Sequence, residues 1–514
     1  MIGFISGFLR TQVLAKFVMN KTDKKEKNNK RSNPLFLQII ILILIAVQGI
    51  FACILEFKLI KMGIIPMPFL IIAGVLVLAL ELLLIYAFVS KKLIMSIIFG
   101  LLSLIVSVAL IYLSILVLKS DRLMNTFTNA GDKESVRMCV YVRKEDTIQN
   151  ISELSGEKLG YSANDDTSLL ALEELNKICP DITPVEEKSN VSALISLSGC
   201  ETRAIVMNSS FLEIIGEEEG YENIVSQVRE LYSFTIEVER KPSFNDSDDS
   251  DAVDYLYTSG DDTFVVYITG VDTWDAASGR NRSDVNLIAV VNRKTNHVQL
   301  INTPRDYYLY MPAQKSMDKL THCGLYGIDC SQDVLERLYR VKIDYFVRIN
   351  FTCFEQIIDS IGGIDIYSEY DFTVEPIKHY TVGYNHCTGK ESLAFARERY
   401  ALEMGDFQRG NNQMEVIKAF VRKITSPEIL VNYDKLYSDL EGNIVTDIPS
   451  EMIYDLMNDQ IKNRNEWNIE SYTVMGTPDE LVTYTFPDDK KFVLIPNMDD
   501  VEEATRKMGN VLTE

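Results

Sequence analysis

Positive charge is scarce in this sequence of 514 residues. Lysine and arginine together number 51, against 73 aspartates and glutamates, which gives a formal net charge of -22 at pH 7. A soluble nucleic-acid-binding protein needs a basic face, whereas the later two-thirds of this chain is acidic. The composition therefore argues against nucleic acid as a partner. It also implies that any polyanion is bound by a few arginines and lysines gathered in one place.

Histidine and cysteine are also few, at four and eight residues. A zinc site could be assembled from His322, Cys323, Cys330, His386 and Cys387. Their spacing does not match a compact zinc finger, so disulfides or free thiols are favoured over metal. Cys53 lies in an apolar run, which leaves an odd number of cysteines elsewhere. In an oxidising compartment the first pairs to expect are Cys179 with Cys200 and Cys323 with Cys330.

Three apolar stretches, residues 35–57, 69–89 and 93–118, are each close to the ~20 residues that span a bilayer. The first 33 residues form a basic tail without an evident cleavable signal, and Lys91 and Lys92 separate the second and third stretches. These positive charges predict that the tail faces the cytoplasm and that the chain after Lys119 is extracellular. Glu81 lies inside the second stretch, where helix packing and function are both open interpretations.

Residues 130–240 predict a small α/β domain, followed by an acidic linker at 241–262. KLGYS and TRAIVMN are typical of strands, and TSLLALEELNKI and SFLEIIG of amphipathic helices. This order resembles one lobe of a type 2 periplasmic solute-binding protein. Such proteins hold their ligand between two lobes, so a single lobe favours a spacer or partner-docking role over solute binding.

Residues 263–514 predict a second α/β domain, with a core at 263–425 and a C-terminal extension. TFVVYITGV and VNLIAVVN are continuous apolar runs rich in β-branched residues, as expected for central strands that are covered on both faces. Helical patterns such as SQDVLERLYRV and FTCFEQIIDSIGG alternate with further strands. The fold class predicted is an α/β sandwich with a mixed central sheet.

The stretch FARERYALEMGDFQRGNNQ at 395–413 predicts an anion clamp. Its polar members are Arg397, Arg399, Asp406, Arg409 and Gln413. Arg409 and Gln413 are four apart, so they share a helix face near an N-terminus, where backbone N–H groups favour negative charge. The same face continues with Ile417, Phe420 and Ile424. Guanidinium groups suit a diphosphate because each donates two parallel hydrogen bonds. Surface ion pairs explain this stretch equally well when it is taken alone.

Further charged residues stand where the predicted strands end. They are Asp272 after the first central strand, Arg282 and Asp284 before the second, Arg305 and Asp306 after the third, and Lys319 in the next loop. Strand ends are where α/β sheets present ligand-binding groups. Two aspartates delivered to one edge can share a hard cation such as Mg²⁺. Each residue alone is more typical of a turn or a solvated ion pair, but together they predict a site.

In order and spacing, GRNRSDVN, NTPRD, MDKLTH and FARERYALEMGDFQRGNNQ resemble the motifs of the LytR-CpsA-Psr family of bacterial cell-envelope proteins. The resemblance implies a membrane-anchored phosphotransferase. It would move a glycopolymer, such as teichoic acid or capsule, from a polyprenyl diphosphate carrier to a sugar hydroxyl of peptidoglycan. A polyprenyl-pyrophosphate hydrolase and a non-catalytic envelope sensor are the alternatives. The three spans and the small domain depart from the commoner family pattern.

The resemblance also implies roles for single residues. Asp272 and Asp284 correspond to ligands of Mg²⁺ (or Mn²⁺). The pyrophosphate contacts correspond to Arg282, Arg305, Lys319, Arg397, Arg399, Arg409 and Gln413. Catalytic roles fall to Arg305, Asp306, Arg397, Arg399, Asp406 and Arg409, with the two aspartates orienting arginines. Candidates for an apolar lipid pocket between sheet and helices are Phe346, Phe351, Phe354, Ile357 and Phe420, although plain core is the favoured interpretation for each of them taken alone.

Overall fold

The structure of the protein, a computed structural model, describes residues 35–62, 67–90, 93–129, 133–240, 253–271, 279–399, 401, 406–424, 444–463 and 466–514. Its first helices are α1 Leu35–Met62, α2 Met67–Ser90 and α3 Leu93–Asn129. Segments of 24, 20 and 23 residues within them have mean hydropathies of 2.7, 2.8 and 2.8. Each is therefore long and apolar enough to cross a membrane, and the three predicted apolar helices are confirmed.

The small domain, residues 133–240, is built on a five-stranded sheet. Its elements are β1 Lys133–Arg143, β2 Lys158–Ser162, α4 Asp166–Ile178, β3 Thr183–Glu187, α5 Asn190–Ser198, β4 Ala204–Asn208, α6 Ser209–Glu217, α7 Glu222–Ser226 and β5 Val228–Glu239. The strand order is β3-β2-β4-β1-β5, with β2 parallel to β3 and β4, and β1 antiparallel to β4 and β5. Asp165, Ser189 and Asn208 cap α4, α5 and α6, so polar groups gather where the parallel strands end.

The large domain contains the other described elements. They are β6 Thr263–Val271, β7 Val285–Asn292, β8 His297–Asn302, β9 Tyr308–Met311, β10 Ser316–Lys319, α8 Leu320–Cys323, α9 Ile328–Tyr339, β11 Tyr345–Asn350, α10 Phe351–Ser360, β12 Ile364–Ser368, β13 Phe372–Val374, β14 Lys378–Tyr380, β15 Gly383–Cys387, α11 Gly389–Arg397, α12 Asp406–Ile424, β16 Ile444–Thr446, α13 Ser450–Asn463, β17 Asn468–Thr473, β18 Gly476–Val482, β19 Lys490–Pro496 and α14 Met498–Thr513. Helix α13 is the one member of this series that does not belong to the large domain, because its residues 450–462 cluster with the apolar helices as a separate compact unit.

The main sheet of the large domain has six strands in the order β16-β11-β6-β7-β8-β17. The pairs β11/β6 and β8/β17 are parallel, and the other pairs are antiparallel. The sheet is therefore mixed, which confirms the predicted α/β class. The bounds of β6 and β7 coincide with the two apolar runs of the sequence.

Two apolar layers cover this sheet. On one side Tyr267 and Ile301 pack with α9 and α14. On the other side Ile349 packs with α10, α11 and α12. Burial on both faces explains why β6 and β7 lack the polar alternation of half-exposed strands. The predicted apolar stripe of α12 is wrong at Ile424, which is 36% exposed because the helix ends there.

The small and large domains share a core in which Phe211 packs with Leu325 and Phe486. A buried ion cluster joins them as well, because Glu134 Oε2 accepts from Arg280 Nε at 3.0 Å and Glu134 Oε1 from Arg348 Nη2 at 3.2 Å. Of the predicted acidic linker, residues 241–252 lie outside the described chain.

The structure contains neither of the expected disulfides. All eight cysteines are free thiols. Cys179 is buried whereas Cys200 is exposed, so this pair lies at different depths. Cys323 and Cys330 are not bonded to each other, and their thiols donate to the carbonyl of Lys319 at 3.8 Å and to Gln314 Oε1 at 3.9 Å.

Candidate functional site

Asp284 is the central carboxylate of the site. Its backbone N–H donates to the carbonyl of Gly270 near the end of β6, at 3.2 Å. Its Oδ1 accepts from Arg305 Nη1 at 2.7 Å and from Thr321 Oγ1 at 3.3 Å. Burial opposes ionisation of this carboxyl, but the charges of Arg282, Arg305 and Arg409 outweigh it and hold the pKa below its ordinary value. Asp284 is therefore an ionised group, surrounded by three guanidinium charges.

The loop before β7 places Arg282 and Asp284 at this sheet edge. Ser283 N–H donates to the carbonyl of Thr321 at 3.0 Å, and Asn286 Nδ2 donates to the carbonyl of Ser283 at 2.8 Å. Gly324 lies so close to this loop that a Cβ there would collide with the carbonyl oxygen of Asn281. The loop therefore depends on a glycine some forty residues further along the chain.

Arg305, Asp306 and Lys319 form a second group beside Asp284. Asp306 lies between the two cations, with Oδ2 3.8 Å from Arg305 Nε and Oδ1 3.6 Å from Lys319 Nζ. The side chains of Arg305 and Asp306 are 23% and 14% exposed, and that of Lys319 is 9% exposed. Partial burial strengthens the electrostatic interactions of these charged groups, because the local dielectric constant is lower than in water. The groups remain exposed enough for a ligand to reach them.

The residues of the predicted anion clamp lie on two helices or directly beside them. Arg397 is the last residue of α11 and is exposed, while Arg399 follows it and is half-buried. Arg409 and Gln413 lie on α12, where both are half-buried. Arg409 acts on the pKa of Asp284, so the clamp and the strand ends meet at one place. The side chain of Asp406 lies outside the described part of the chain.

An apolar cleft opens next to these polar groups. It encloses roughly 520 Å³ of space between the atoms, solvent at its mouth included. Its lining comprises Ile268, Thr269, Gly270, Val285, Ile349, Phe354, Leu393, Ala396, Arg397, Gln413, Val416 and Ile417. Arg397 and Gln413 are the polar members with large side chains. The cleft lies between the sheet and helices α10 to α12, so an apolar chain bound there would end beside cations.

The predicted lipid-pocket residues divide between cleft and core. Phe354 lines the cleft. The ring of Phe420 packs against the ring of Phe354, with the two centroids 5.5 Å apart. Phe346 instead belongs to the core on the opposite face of the sheet, where Arg240 lies 4.5 Å above its ring. Ile357 is buried and does not line the cleft, while the side chain of Phe351 is outside the described residues.

The predicted metal site can be assessed only in part. Asp272 lies outside the described residues, and β6 ends one residue earlier, at Val271. Within the described ranges no group of three or more histidines, cysteines, aspartates or glutamates is placed to hold a metal ion. Asp284 is ionised, as a metal ligand must be, and both of its hydrogen bonds above end on Oδ1.

Two residues at the site were not among the site residues predicted from the sequence. Thr321 stands inside the MDKLTH motif, although only its lysine was singled out. Glu217 of the small domain binds Arg282, with its Oε1 accepting from Nη2 at 2.9 Å. Burial would lower the pKa of Arg282, but Glu217 and Asp284 raise it above its ordinary value. Nothing in the sequence of the small domain pointed to this contact.

Known proteins resemble this chain in the same region. The LytR_cpsA_psr family model matches residues 229–506. TagU of Bacillus subtilis (strain 168), a polyisoprenyl-teichoic acid–peptidoglycan teichoic acid transferase, is 31% identical over 219 residues, which are 42% of this chain and 69% of that protein. The Bacillus cereus protein of the same name is 28% identical over 225 residues, 44% of this chain and 73% of that protein.

Solved structures include that of B. subtilis TagU, which is 26% identical with a TM-score of 0.40 over 49% of this chain and 98% of that one. TagT bound to LIIa-WTA is 24% identical, with a TM-score of 0.40 over 49% of this chain and 92% of that one. The family match itself covers more than half of the 514 residues. The chain therefore belongs to the LytR_cpsA_psr family.

Proposed function

We propose that this protein is a phosphotransferase that moves a glycopolymer from a polyprenyl diphosphate carrier to a sugar hydroxyl of peptidoglycan. The observation that carries the proposal is the meeting of an apolar cleft with a cluster of cations. The charges of Arg282, Arg305 and Arg409 act on Asp284. Arg397 and Gln413 line the cleft beside this cluster. This arrangement suits a ligand with an apolar chain and an anionic head. The names of the TagU relatives give the same reaction.

The chemistry follows from charge. The oxygen of the acceptor hydroxyl forms a bond to the phosphorus that carries the glycopolymer, and the bond from that phosphorus to the bridging oxygen breaks. The polyprenyl phosphate leaves, and the hydroxyl proton is released to water. Negative charge builds up on the transferring and leaving oxygens, and fixed guanidinium and ammonium groups stabilise it. Arg305 and Lys319 would serve this role, and Asp306, which lies within 4 Å of a nitrogen of each, would orient both.

Asp284 and Asp272 would hold Mg²⁺ or Mn²⁺, because these hard ions prefer carboxylate oxygens, and the ion would add positive charge beside the phosphates. The ionised state of Asp284 supports this proposal. Arg397, Arg399, Arg409 and Gln413 would contact the diphosphate from α11 and α12, with Asp406 orienting them.

The three apolar helices would anchor the protein in the membrane, with the basic tail inside and both α/β domains outside. A polyprenyl carrier resides in the bilayer and its polymer is used at the wall, so this orientation brings enzyme and both substrates together.

Replacing Arg305 with alanine tests the function. The change removes a donor from the transferring phosphate, and we expect a loss of transfer of about 100- to 1000-fold. The measurement is transfer of a lipid-linked polymer to peptidoglycan oligomers by the full-length protein in detergent. Arg506→Ala is the matched control, because Arg506 pairs with Glu503 on the exposed face of α14.

Thermal unfolding of both variants checks that the fold is kept. Wild-type transfer by Arg305→Ala would reject the proposal. Release of free polymer phosphate in place of transfer, with peptidoglycan oligomers present, would point to a hydrolase.

A further inference from the structure

Two glutamates of the small domain contact cations of the candidate diphosphate site. Glu217, the last residue of α6, holds both terminal nitrogens of Arg282, with Oε1 to Nη2 at 2.9 Å and Oε2 to Nη1. Glu218 follows, with Oε1 3.9 Å from Lys319 Nζ and Oε2 3.2 Å from Lys491 Nζ. Adjacent carboxylates of one domain therefore serve as counter-ions for cations of the other.

The contact is part of how the two domains pack. The ring of Tyr221, four residues after Glu217, lies 6.2 Å from the ring of Phe486, and its hydroxyl is hydrogen-bonded to Asp489. The Lys491 ammonium lies 5.0 Å from the centroid of Tyr221 and 4.7 Å from that of Phe486. Glu217 and Glu218 are thus presented to the site by a segment that is itself packed against the large domain.

The glutamates are more exposed than the cations they hold. The side chain of Glu217 is 60% exposed and that of its partner Arg282 is 20% exposed. Glu218 is 25% exposed, against 9% for Lys319 and 7% for Lys491. Burial makes an unpaired cation costly, so these three need an anion at all times. A glutamate that reaches solvent is hydrated when it gives up its partner, so the exchange costs little when another anion takes over the cation.

We propose that Glu217 and Glu218 are displaceable counter-anions of the diphosphate site, so that the small domain sets how strongly a phosphate-bearing ligand must bind in order to enter. The identity of that ligand rests on the proposed function. An incoming diphosphate takes over Arg282 and Lys319 without movement of either domain. Glu217 turns to solvent, while Glu218 releases Lys319 and keeps its contact with Lys491. When the lipid phosphate departs, the carboxylates return to the cations.

The test compares the full-length protein with Glu217→Gln/Glu218→Gln. Glutamine keeps the size of the side chain and removes its charge. Glu219→Gln is the matched control, because Glu219 is exposed, follows directly in the sequence and makes no ion pair within the described part of the chain. It removes one negative charge nearby, where the double variant removes two, and it has no contact to the site. All three proteins are checked by thermal unfolding.

Titration calorimetry with two probes, inorganic pyrophosphate and geranylgeranyl diphosphate, measures the effect. We expect the double variant to bind both about fivefold more tightly than the wild type, the factor that corresponds to one weak ion pair, and Glu219→Gln to stay within about twofold. In the transfer assay the KM for the lipid-linked polymer should fall by a similar factor, with kcat unchanged.

Each outcome decides a different point. Equal affinities in the three proteins would overturn the counter-anion role, and so would a lower kcat at constant KM, since that would make Glu217 a group that positions Arg282. The expected affinity ratio without any polymer transfer would reject the proposed function and leave this inference standing. Failure of every variant to bind either probe would overturn both.

Discussion

Two arginine–carboxylate clusters flank the same short loop before β7, and they differ in exposure. In the inner cluster the side chains of Glu134, Arg280 and Arg348 are 5%, 7% and 2% exposed. In the outer cluster Asp284 and Arg305 are 13% and 23% exposed. The residue types are the same, and the positions of Arg280 and Asp284 are only four apart in the chain.

The difference between the clusters lies in what satisfies their charges. Glu134 Oε1 also accepts from the backbone N–H of Ile328 at 3.0 Å, and Arg348 Nη1 donates to the carbonyl of Gly279 at 2.8 Å. The inner cluster is thus closed by protein groups and joins two domains. The outer cluster lies beside an open cleft. Solvent access, more than residue type, separates an ion cluster that holds the fold from one that can bind a ligand.

Breaking the inner cluster should give the largest effect on stability. Glu134→Gln removes the buried carboxylate that two buried guanidinium groups share and leaves only the exposed Asp166 beside Arg280. We expect a loss of about 3–5 kcal/mol in the free energy of unfolding. Urea unfolding of the detergent-solubilised protein measures it. The control is Glu134→Leu/Arg280→Met/Arg348→Met, which removes all three charges and should cost far less. Equal losses in the two variants would contradict the comparison.

The same cluster predicts a pH dependence. Burial opposes ionisation of Glu134, but Arg348 and Arg280 outweigh it and hold its pKa below the ordinary value. The stabilisation is therefore fully present above the ordinary glutamate pKa and is lost as the pH falls through the lowered one. Urea midpoints should fall more steeply in acid for the wild type than for the triple variant. Parallel curves would show that Glu134 does not contribute.

Filling the cleft beside the outer cluster should have an intermediate effect. Ala396→Phe places a ring where an apolar chain would lie, so we expect about tenfold weaker binding of geranylgeranyl diphosphate and unchanged binding of inorganic pyrophosphate. Ala401→Phe, at an exposed position that does not line the cleft, is the control. Weaker binding of both probes would mean that the substitution disturbs the cations as well.

The smallest effect is expected at an ion pair on the protein surface. Arg506 and Glu503 lie one turn apart on α14, with side chains 58% and 35% exposed. Removing the arginine should leave the melting temperature unchanged, because solvent already satisfies both charges. A clear shift in the melting temperature would show that side-chain exposure alone does not determine how much an ion pair contributes to stability.

The sequence predicted the large domain more accurately than the contacts made between domains. The apolar runs at 263–271 and 285–292 marked β6 and β7 to the residue, and the spacing of Arg409 and Gln413 placed both on α12. Phe346 was a candidate for the lipid pocket, with plain core as the favoured interpretation, and it lies in the core on the other face of the sheet because its strand alternates between two apolar layers. Composition cannot tell which of two buried faces a side chain joins.

What the sequence by itself determined was the set of elements and the motifs at strand ends, since periodicity and turn chemistry depend on neighbours a few residues away. Only the tertiary structure decided which arginines hold the fold and which remain open to a ligand. Glu134 lies 146 residues before Arg280, and Glu217 lies 65 residues before Arg282. Burial and ion pairing arise when distant segments pack. The sequence around an arginine therefore does not show whether its partner is a buried glutamate or a substrate.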